Sequence, residues 1–314
     1  MPNKYKFDKI IKFKESSSNI DVCEINSFSI NNGGIQKHFS GIYFASRYRH
    51  QYTGLLHDYI GGYLQLKKIY PDLKLIFFKY NESENNKKSV RNELPVLDFV
   101  KYFNADVINI DENSYLFDKI IFHNAEVPVF PDLNKLTDFN ILDEFSNEIK
   151  IWRINSLKTV FEEFNSLIIN NKIKNNIYIT RSLINKFWMQ STNDYILNKR
   201  VQNEIYDEKL DNVLSSDGYQ IVEFFNYSFW DQINISYNSN IYLTIDGSTL
   251  TNAIWCNPDA KIIKIVVNKE YTNLNYYWED ILNAVNKNIF KIIDVSDLSP
   301  EDGIIKIQKE LSKI

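Results

Sequence analysis

The chain has 314 residues, of which 44% are hydrophobic and 24% charged, with a formal net charge of −4. Such a length supports two ordinary domains, each with a full core, and the composition excludes a disordered chain. The charge excludes an electrostatic nucleic-acid binder, which needs clustered Lys and Arg. The two cysteines, Cys23 and Cys256, are too few and too far apart for a disulfide framework or a Cys-rich metal cluster, and they fit a reducing compartment. The N-terminus lacks an apolar signal core, and no stretch approaches the ~18 to 20 apolar residues of a membrane span. A cytoplasmic protein is expected, with peripheral membrane contact left open; the basic, apolar run Lys9 to Lys14 reads as an ordinary alternating strand. Aromatic content is 15%, with 20 Tyr and 21 Phe. These suit core packing first and sugar stacking second.

Residues 1 to about 45 read as short strands and turns: Lys9 to Phe13, Val22 to Ile25, and a strong turn at Asn31-Asn-Gly-Gly34. From Ser46 to Tyr70 the apolar positions Leu55, Leu56, Tyr59, Ile60, Tyr63, Leu64 and Leu66 fall at helical spacing, and Pro71 stops the helix. Leu73 to Phe78 is a near-continuous apolar run and reads as a buried parallel strand. A helix over Leu94 to Phe103, a strand over Asp106 to Ile110 and a strand or strand pair over Tyr115 to His123 follow. This alternation favours a parallel sheet covered by helices. Pro128 and Pro131 break the pattern, and Leu133 to Ile173 reads as helices joining two halves, with the boundary near residue 170.

The second half predicts strands at 176–181, 219–225, 241–245, 261–267 and 290–295, and helices near 197–215, 228–238, 248–255, 275–286 and 300–313. Five such alternations make a doubly wound domain. Neither GxGxxG nor GxxxxGK[ST] is present. The run Ile241 to Trp255 instead places Asp246-Gly247 between a buried strand and a helix start. First-turn amides lack intrahelical acceptors and the dipole is positive there, so the turn is a natural anion seat, where Gly247 lets a ligand approach closely.

The pieces around this turn come in a recognisable order: Tyr178-Ile-Thr-Arg181, then Arg200 with Asn203-Glu204, then Ser228-Phe-Trp-Asp-Gln232, then Asp246-Gly-Ser-Thr-Leu-Thr-Asn252, then the proline turn at Asn257-Pro258 into Lys261 to Val267. Over residues 175–267 the series resembles glycosyltransferase family 61. The resemblance implies a GT-B-like α/β architecture: two Rossmann-like domains with parallel sheets facing across a cleft. Residues 1–170 would form the acceptor-side domain and 171–314 the domain that binds the nucleotide sugar. The chain departs from the family pattern at three positions. Asp246 stands where the family has His, Lys264 where it usually has Glu, and Gly54 where the first long helix carries its His. An aspartate beside a diphosphate seat repels the ligand unless it is protonated or turned away.

The resemblance implies an inverting, metal-independent glycosyltransferase, hexosyl- or pentosyl-, that moves a sugar from a nucleotide-sugar co-substrate to a glycan or glycoconjugate. No cofactor is expected. Departing phosphate would be met by Arg181, by the amides of Gly247, Ser248 and Thr249, and by the side chains of Ser248, Thr251 or Asn252, with Asp246 and Lys264 beside them. Arg181, Asn252, Arg200, Asn203, Glu204 and Gln232 match family positions; for the last four, capping and inter-helix hydrogen bonds are the better reading. Aligning Tyr52 to Asp58 with the family's helix matches Asp58 to its aspartate, the first choice of base, with His57 second. Arg47, Arg49 and Arg200 are candidate anion contacts. Two other classes of function fit the same residues: a degenerate nucleotide- or sugar-binding protein, and a pyruvyl or acidic-sugar transferase, to which Lys264 would suit an altered donor.

Overall fold

Leu75, Ile76, Phe77 and Phe78 are all at most 1% exposed, so this apolar run is covered on both faces, as its lack of alternation predicts. It forms β5 (Lys74–Lys79) in the computed structural model, whose described residues are 5–6, 9–14, 21–31, 33, 35–47, 54–79, 93–109, 113–123, 147–170, 174–182, 194–268 and 276–314. The chain divides into two units, Met1–Val160 and Phe161–Ile314.

In the first unit, β1 (Tyr5–Lys6), β2 (Lys9–Lys14), β3 (Asp21–Ile30), β4 (Gln36–Arg47), β5, β6 (Asp106–Asn109) and β7 (Ser114–His123) form one sheet in the order β1-β3-β7-β4-β5-β6, with β2 also paired to β3. Strands β4, β5, β6 and β7 are joined by parallel pairings, but β1, β2 and β7 all run antiparallel to β3. The wholly parallel sheet expected from the alternation is therefore corrected to a mixed one. A parallel partner needs a crossover of about a dozen residues or more, and the short links between β1, β2 and β3 cannot supply it. Helical crossovers between β4 and β5, and between β5 and β6 through α2 (Glu93–Phe103), allow parallel pairing there. Phe28, Phe78, Tyr115 and Phe117 lie in the core of this sheet, with Phe39 stacked on Phe117 at 4.9 Å.

The helix expected from Ser46 begins later, because β4 continues to Arg47 in register with Phe78. Its first part, Leu55–Gly61, is a π-helix with every residue buried, and it continues as α1 (Gly62–Ile69). π-turns concentrate where a side chain has to be re-aimed, often at functional sites. The helix then packs against α3 (Asn147–Phe164) at Gly61. Gln65 Nε2 donates to Ser156 Oγ at 2.8 Å beside that contact.

The second unit holds β8 (Asn175–Ile179), β9 (Gln220–Val222), β10 (Ser239–Ile245), β11 (Lys261–Val266) and β12 (Ile289–Asp294), all parallel, in the order β12-β11-β10-β8-β9. One face packs against α4 (Asp194–Ser216) and α7 (Pro300–Leu311): Tyr178, Leu243, Ile263 and Ile265 meet Leu210, Leu214, Ile304 and Ile307. Beyond the strands, Trp255 packs edge-on to Phe229 of α5 (Phe229–Tyr237) and Phe164 does the same to Phe229. α6 (Tyr276–Ala284) completes the unit. The doubly wound reading matches this sheet. The strand expected at 219–225 is cut short by a 3-10 turn at Phe224–Asn226, after which Ser228 caps α5 by accepting from the Asp231 amide at 3.1 Å.

Adding a Cβ at Gly61 would place it 2.5 Å from Ser156 Cβ and 2.7 Å from the Ser156 carbonyl oxygen, and a backbone cannot yield as a side-chain tip does. Gly61→Ala is expected to destabilise the fold by about 1–3 kcal/mol, read as a lower denaturation midpoint in urea at unchanged slope.

Candidate functional site

Chain order within the second sheet reverses between β8 and β10, which are neighbours there although β9 lies between them in sequence. Beyond the carboxyl ends of two such strands neither connection covers the crevice, and open α/β sheets take ligands at that point. Two segments emerge side by side here: Thr180-Arg181-Ser182 from β8 and Asp246-Gly247-Ser248 from β10.

Arg181 reaches across the gap, donating from Nη2 to the Asp246 carbonyl at 3.3 Å. Gly247 has φ +142° and ψ −162°, a conformation open in practice only to glycine. A Cβ there would sit 2.6 Å from Arg181 Nη1. Glycine is thus required for the turn, and its missing Cβ leaves the space in which the guanidinium lies. The Nε–H of Arg181 is buried and has no acceptor among the described residues. A buried charged donor without an acceptor is costly, and an anion would satisfy it.

The helix after the turn, Ser248–Trp255, is 3-10 throughout rather than α. Its first internal bond runs from the Leu250 amide to the Gly247 carbonyl at 3.0 Å, so the amides of Ser248 and Thr249 precede the ladder. Ser248 is exposed and Thr249 half-buried. The Thr249 hydroxyl lies 2.6 Å from that of Thr244, at the end of β10. Thr251 is fully buried, and Asn252 donates from Nδ2 to Gln232 Oε1 at 2.9 Å. Gln232 in turn donates to the carbonyls of Phe224 and Tyr227, both at 3.0 Å. Asn252 and Gln232 fasten α5 to the 3-10 helix and so hold the turn from behind.

Asp246 and Lys264 are each about 5% exposed or less at the side chain and face one another, Nζ to Oδ2 at 3.9 Å. Lys264 Nζ also donates to Glu279 Oε1 of α6 at 3.3 Å. Two of the three departures from the family pattern are therefore partners. The aspartate whose charge would oppose an anion is buried with the Lys264 ammonium at ion-pair distance.

In the first unit, the π-helix carries His57 and Asp58, 4% and 2% exposed. His57 Nδ1 lies 2.6 Å from Asp58 Oδ1, and Arg153 of α3 donates from Nε to Oδ1 at 3.1 Å and from Nη2 to Oδ2 at 3.3 Å. Burial by itself would push the Asp58 carboxyl up, but His57 and the Arg153 guanidinium outweigh it and hold it at about 2. Gly54, the third departure, immediately precedes the π-helix. Arg49 lies outside the described residues, as do the side chains of Arg47, Arg200, Asn203 and Glu204.

Sequence reasoning missed Arg153, whose partner Asp58 is 95 residues away, and the carboxylates beneath Arg181. Asp207 is fully buried and accepts from the Tyr178 hydroxyl at 2.6 Å, and Asp211 Oδ2 accepts from Ser182 Oγ at 2.6 Å. Their spacing of four on a predicted helix was the available signal.

Residues 144–263 match the family model of Glycosyltransferase 61, a segment that contains Arg153, Arg181, Asp246, Gly247 and Asn252 and ends one residue before Lys264. The match supports a glycosyltransferase, and with it a sugar donor and an acceptor as substrates. No curated protein matches the chain. Among the described residues no helix is long and apolar enough to cross a membrane.

An acid whose folded pKa is depressed stabilises the fold above its unfolded pKa and loses that contribution as pH falls. For Asp58, with an ordinary value of 3.8 against about 2 in the fold, the contribution is about 2 kcal/mol and disappears between pH 4 and pH 2. Arg153→Met should strand the buried carboxylate, cost about 3–5 kcal/mol at pH 7 and weaken this acid-limb dependence, both measurable by urea unfolding across pH.

Proposed function

We propose that the chain is an inverting, nucleotide-sugar-dependent glycosyltransferase in which the diphosphate of the donor sits on the Gly247 turn. The observation that carries this is the Arg181 guanidinium lying over Gly247 at the strand-order reversal with its Nε–H unmet. Arg181 would bridge phosphate oxygens, and the Ser248 and Thr249 amides and the Ser248 hydroxyl would take the rest. As the glycosidic bond to phosphate breaks, the negative charge growing on the leaving oxygen would be met by groups already in place. A fixed cation and amides of this kind do the work for which other transferases use a divalent ion, so we take the reaction to be metal-independent.

The acceptor hydroxyl must lose its proton as it attacks. Asp58 is a poor choice, since a carboxylate held at about 2 and engaged at both oxygens accepts a proton weakly near neutrality. His57 is the better base within the same pair, its ring oriented by Asp58 as carboxylates orient imidazoles elsewhere. We take the acceptor to be a glycan or glycoconjugate and the reaction to be cytoplasmic. Lys264, which would have suited an acidic-sugar or pyruvyl donor, is committed to Asp246 and Glu279. The deep burial of His57 favours one second reading, a nucleotide-sugar-binding protein without transfer activity.

A thermal-shift panel of UDP-, GDP-, CMP- and dTDP-sugars, with and without manganese, tests the donor seat. A donor at ~100 times its Kd stabilises the fold by about 2.7 kcal/mol, a shift of a few degrees. One nucleotide class should raise the melting temperature without manganese, and Arg181→Ala should abolish the rise; no shift with any donor would overturn the reading. Transfer to acceptor by the wild type, lost in His57→Ala, separates the enzyme from the binding protein.

A further inference from the structure

Arg181 lies two residues beyond the end of β8, where few ladder bonds fix the chain. What fixes it here is α4. Asp207 and Asp211 stand four residues apart on that helix, one turn, and each engages the segment on one side of Arg181 or the other. Asp207 accepts from the Tyr178 hydroxyl at 2.6 Å and from the Arg181 backbone amide. Asp211 accepts from Ser182 Oγ at 2.6 Å, and that hydroxyl lies 2.9 Å from Thr180 Oγ1, which accepts the Ser182 amide at 3.2 Å. Residues 178, 180, 181 and 182 are thus tied to two carboxylates of one helix, directly or through a hydroxyl, while the Arg181 guanidinium extends away to the Gly247 turn.

We propose that Asp207 and Asp211 are positioning residues for Arg181, a two-carboxylate clamp on its backbone that delivers the guanidinium to the Gly247 turn. The inference rests on the reading that this turn seats the donor diphosphate. A carboxylate with no water around it is a poor choice for stability alone. Burial raises the Asp207 carboxyl to about 6, against the pull of Arg181 and the Tyr178 hydroxyl and with Asp211 adding to the rise. Arg181, Tyr178 and Asp211 are titratable or charged groups that face it among the described residues. An acid with a raised folded pKa takes up its proton more readily in the fold, so its contribution to stability falls as pH rises through 6. A fold optimised for stability would place Asn here, which keeps an acceptor for Tyr178. Retention of the charge is accounted for by its opposite, the guanidinium it steers.

The test compares wild type, Asp207→Asn, Ser182→Ala, Arg181→Ala and the Arg181→Ala/Asp207→Asn double variant. Dissociation constants for UDP, GDP, CDP and dTDP are measured by calorimetry at pH 8, alongside melting temperatures. Asp207→Asn should melt no lower than wild type at pH 8 yet bind the preferred nucleoside diphosphate about 10-fold more weakly, and the double variant should bind no more weakly than Arg181→Ala alone. Equal affinity in a folded Asp207→Asn, or losses that add in the double variant, would overturn the clamp. Should Asp207→Asn not fold, Ser182→Ala carries the same expectation and the same power to refute through Asp211.

A ligand-free readout separates this inference from the donor-site reading. The buried Arg181 Nε–H, assigned by its absence in Arg181→Ala, should exchange slowly with solvent in the wild type and at least 10-fold faster in Asp207→Asn and Ser182→Ala. Unchanged exchange in both overturns the clamp whatever binds. Faster exchange in a protein that binds no nucleoside diphosphate upholds the clamp and overturns the donor site.

Discussion

The passage of Arg181 over Gly247 is the constraint on which the second unit's chemistry depends. Only glycine tolerates the turn's φ of +142°, and its missing Cβ leaves the space that the guanidinium occupies. Everything around it reads as support for that passage. The strand order of the sheet opens a crevice beyond the carboxyl ends of β8 and β10, α4 grips the segment that carries the arginine, and the Asn252 to Gln232 to Phe224 chain of hydrogen bonds holds the turn from behind. The hydrogen bonds that hold these groups are made without a ligand, the preorganisation that electrostatic stabilisation of a leaving group would require.

Charge is managed by the same means in both units, through burial with a partner rather than exposure to water. Asp58 is held by His57 and Arg153, and Lys264 by Asp246 and Glu279. Such pairs gain less in stability than their Coulomb attraction suggests, because each ion has lost its hydration. They gain in geometry: a buried ion held between two partners has few alternative positions, and side chains that must be aimed are best aimed from such anchors. Asp207 differs in that burial overcomes its partners and leaves the proton close to hand near pH 6.

Much of this was legible in the sequence because it is local. The unbroken apolar run at Leu75 to Phe78 announced a strand covered on both faces, and Asp246-Gly247 announced the turn after a buried strand. Local signals also misled where periodicity cannot distinguish related states. Ser248 to Trp255 has helical spacing but winds as 3-10, and the helix traced from Ser46 starts after a strand that runs to Arg47 and opens with a π-turn. What stayed hidden depends on pairs remote in sequence. Arg153 finds Asp58 and Tyr178 finds Asp207 only once the units have folded, and no spacing rule joins them. The antiparallel β1, β2 and β3 could have been inferred from their short links, which leave no room for a crossover.

The Asp246 and Lys264 pair has a consequence for how such a chain can change over generations. With the resemblance placing His and Glu at these positions, the two differ from the family in opposite charge senses, a reversal of polarity that preserves attraction. Restoring only the family's Glu at 264 would set two buried carboxylates against each other, and restoring only its His at 246 would leave Lys264 facing a second base. Lys264 also serves Glu279, so neither position changes without disturbing its neighbours, and substitutions at 246 and 264 are expected to be non-additive.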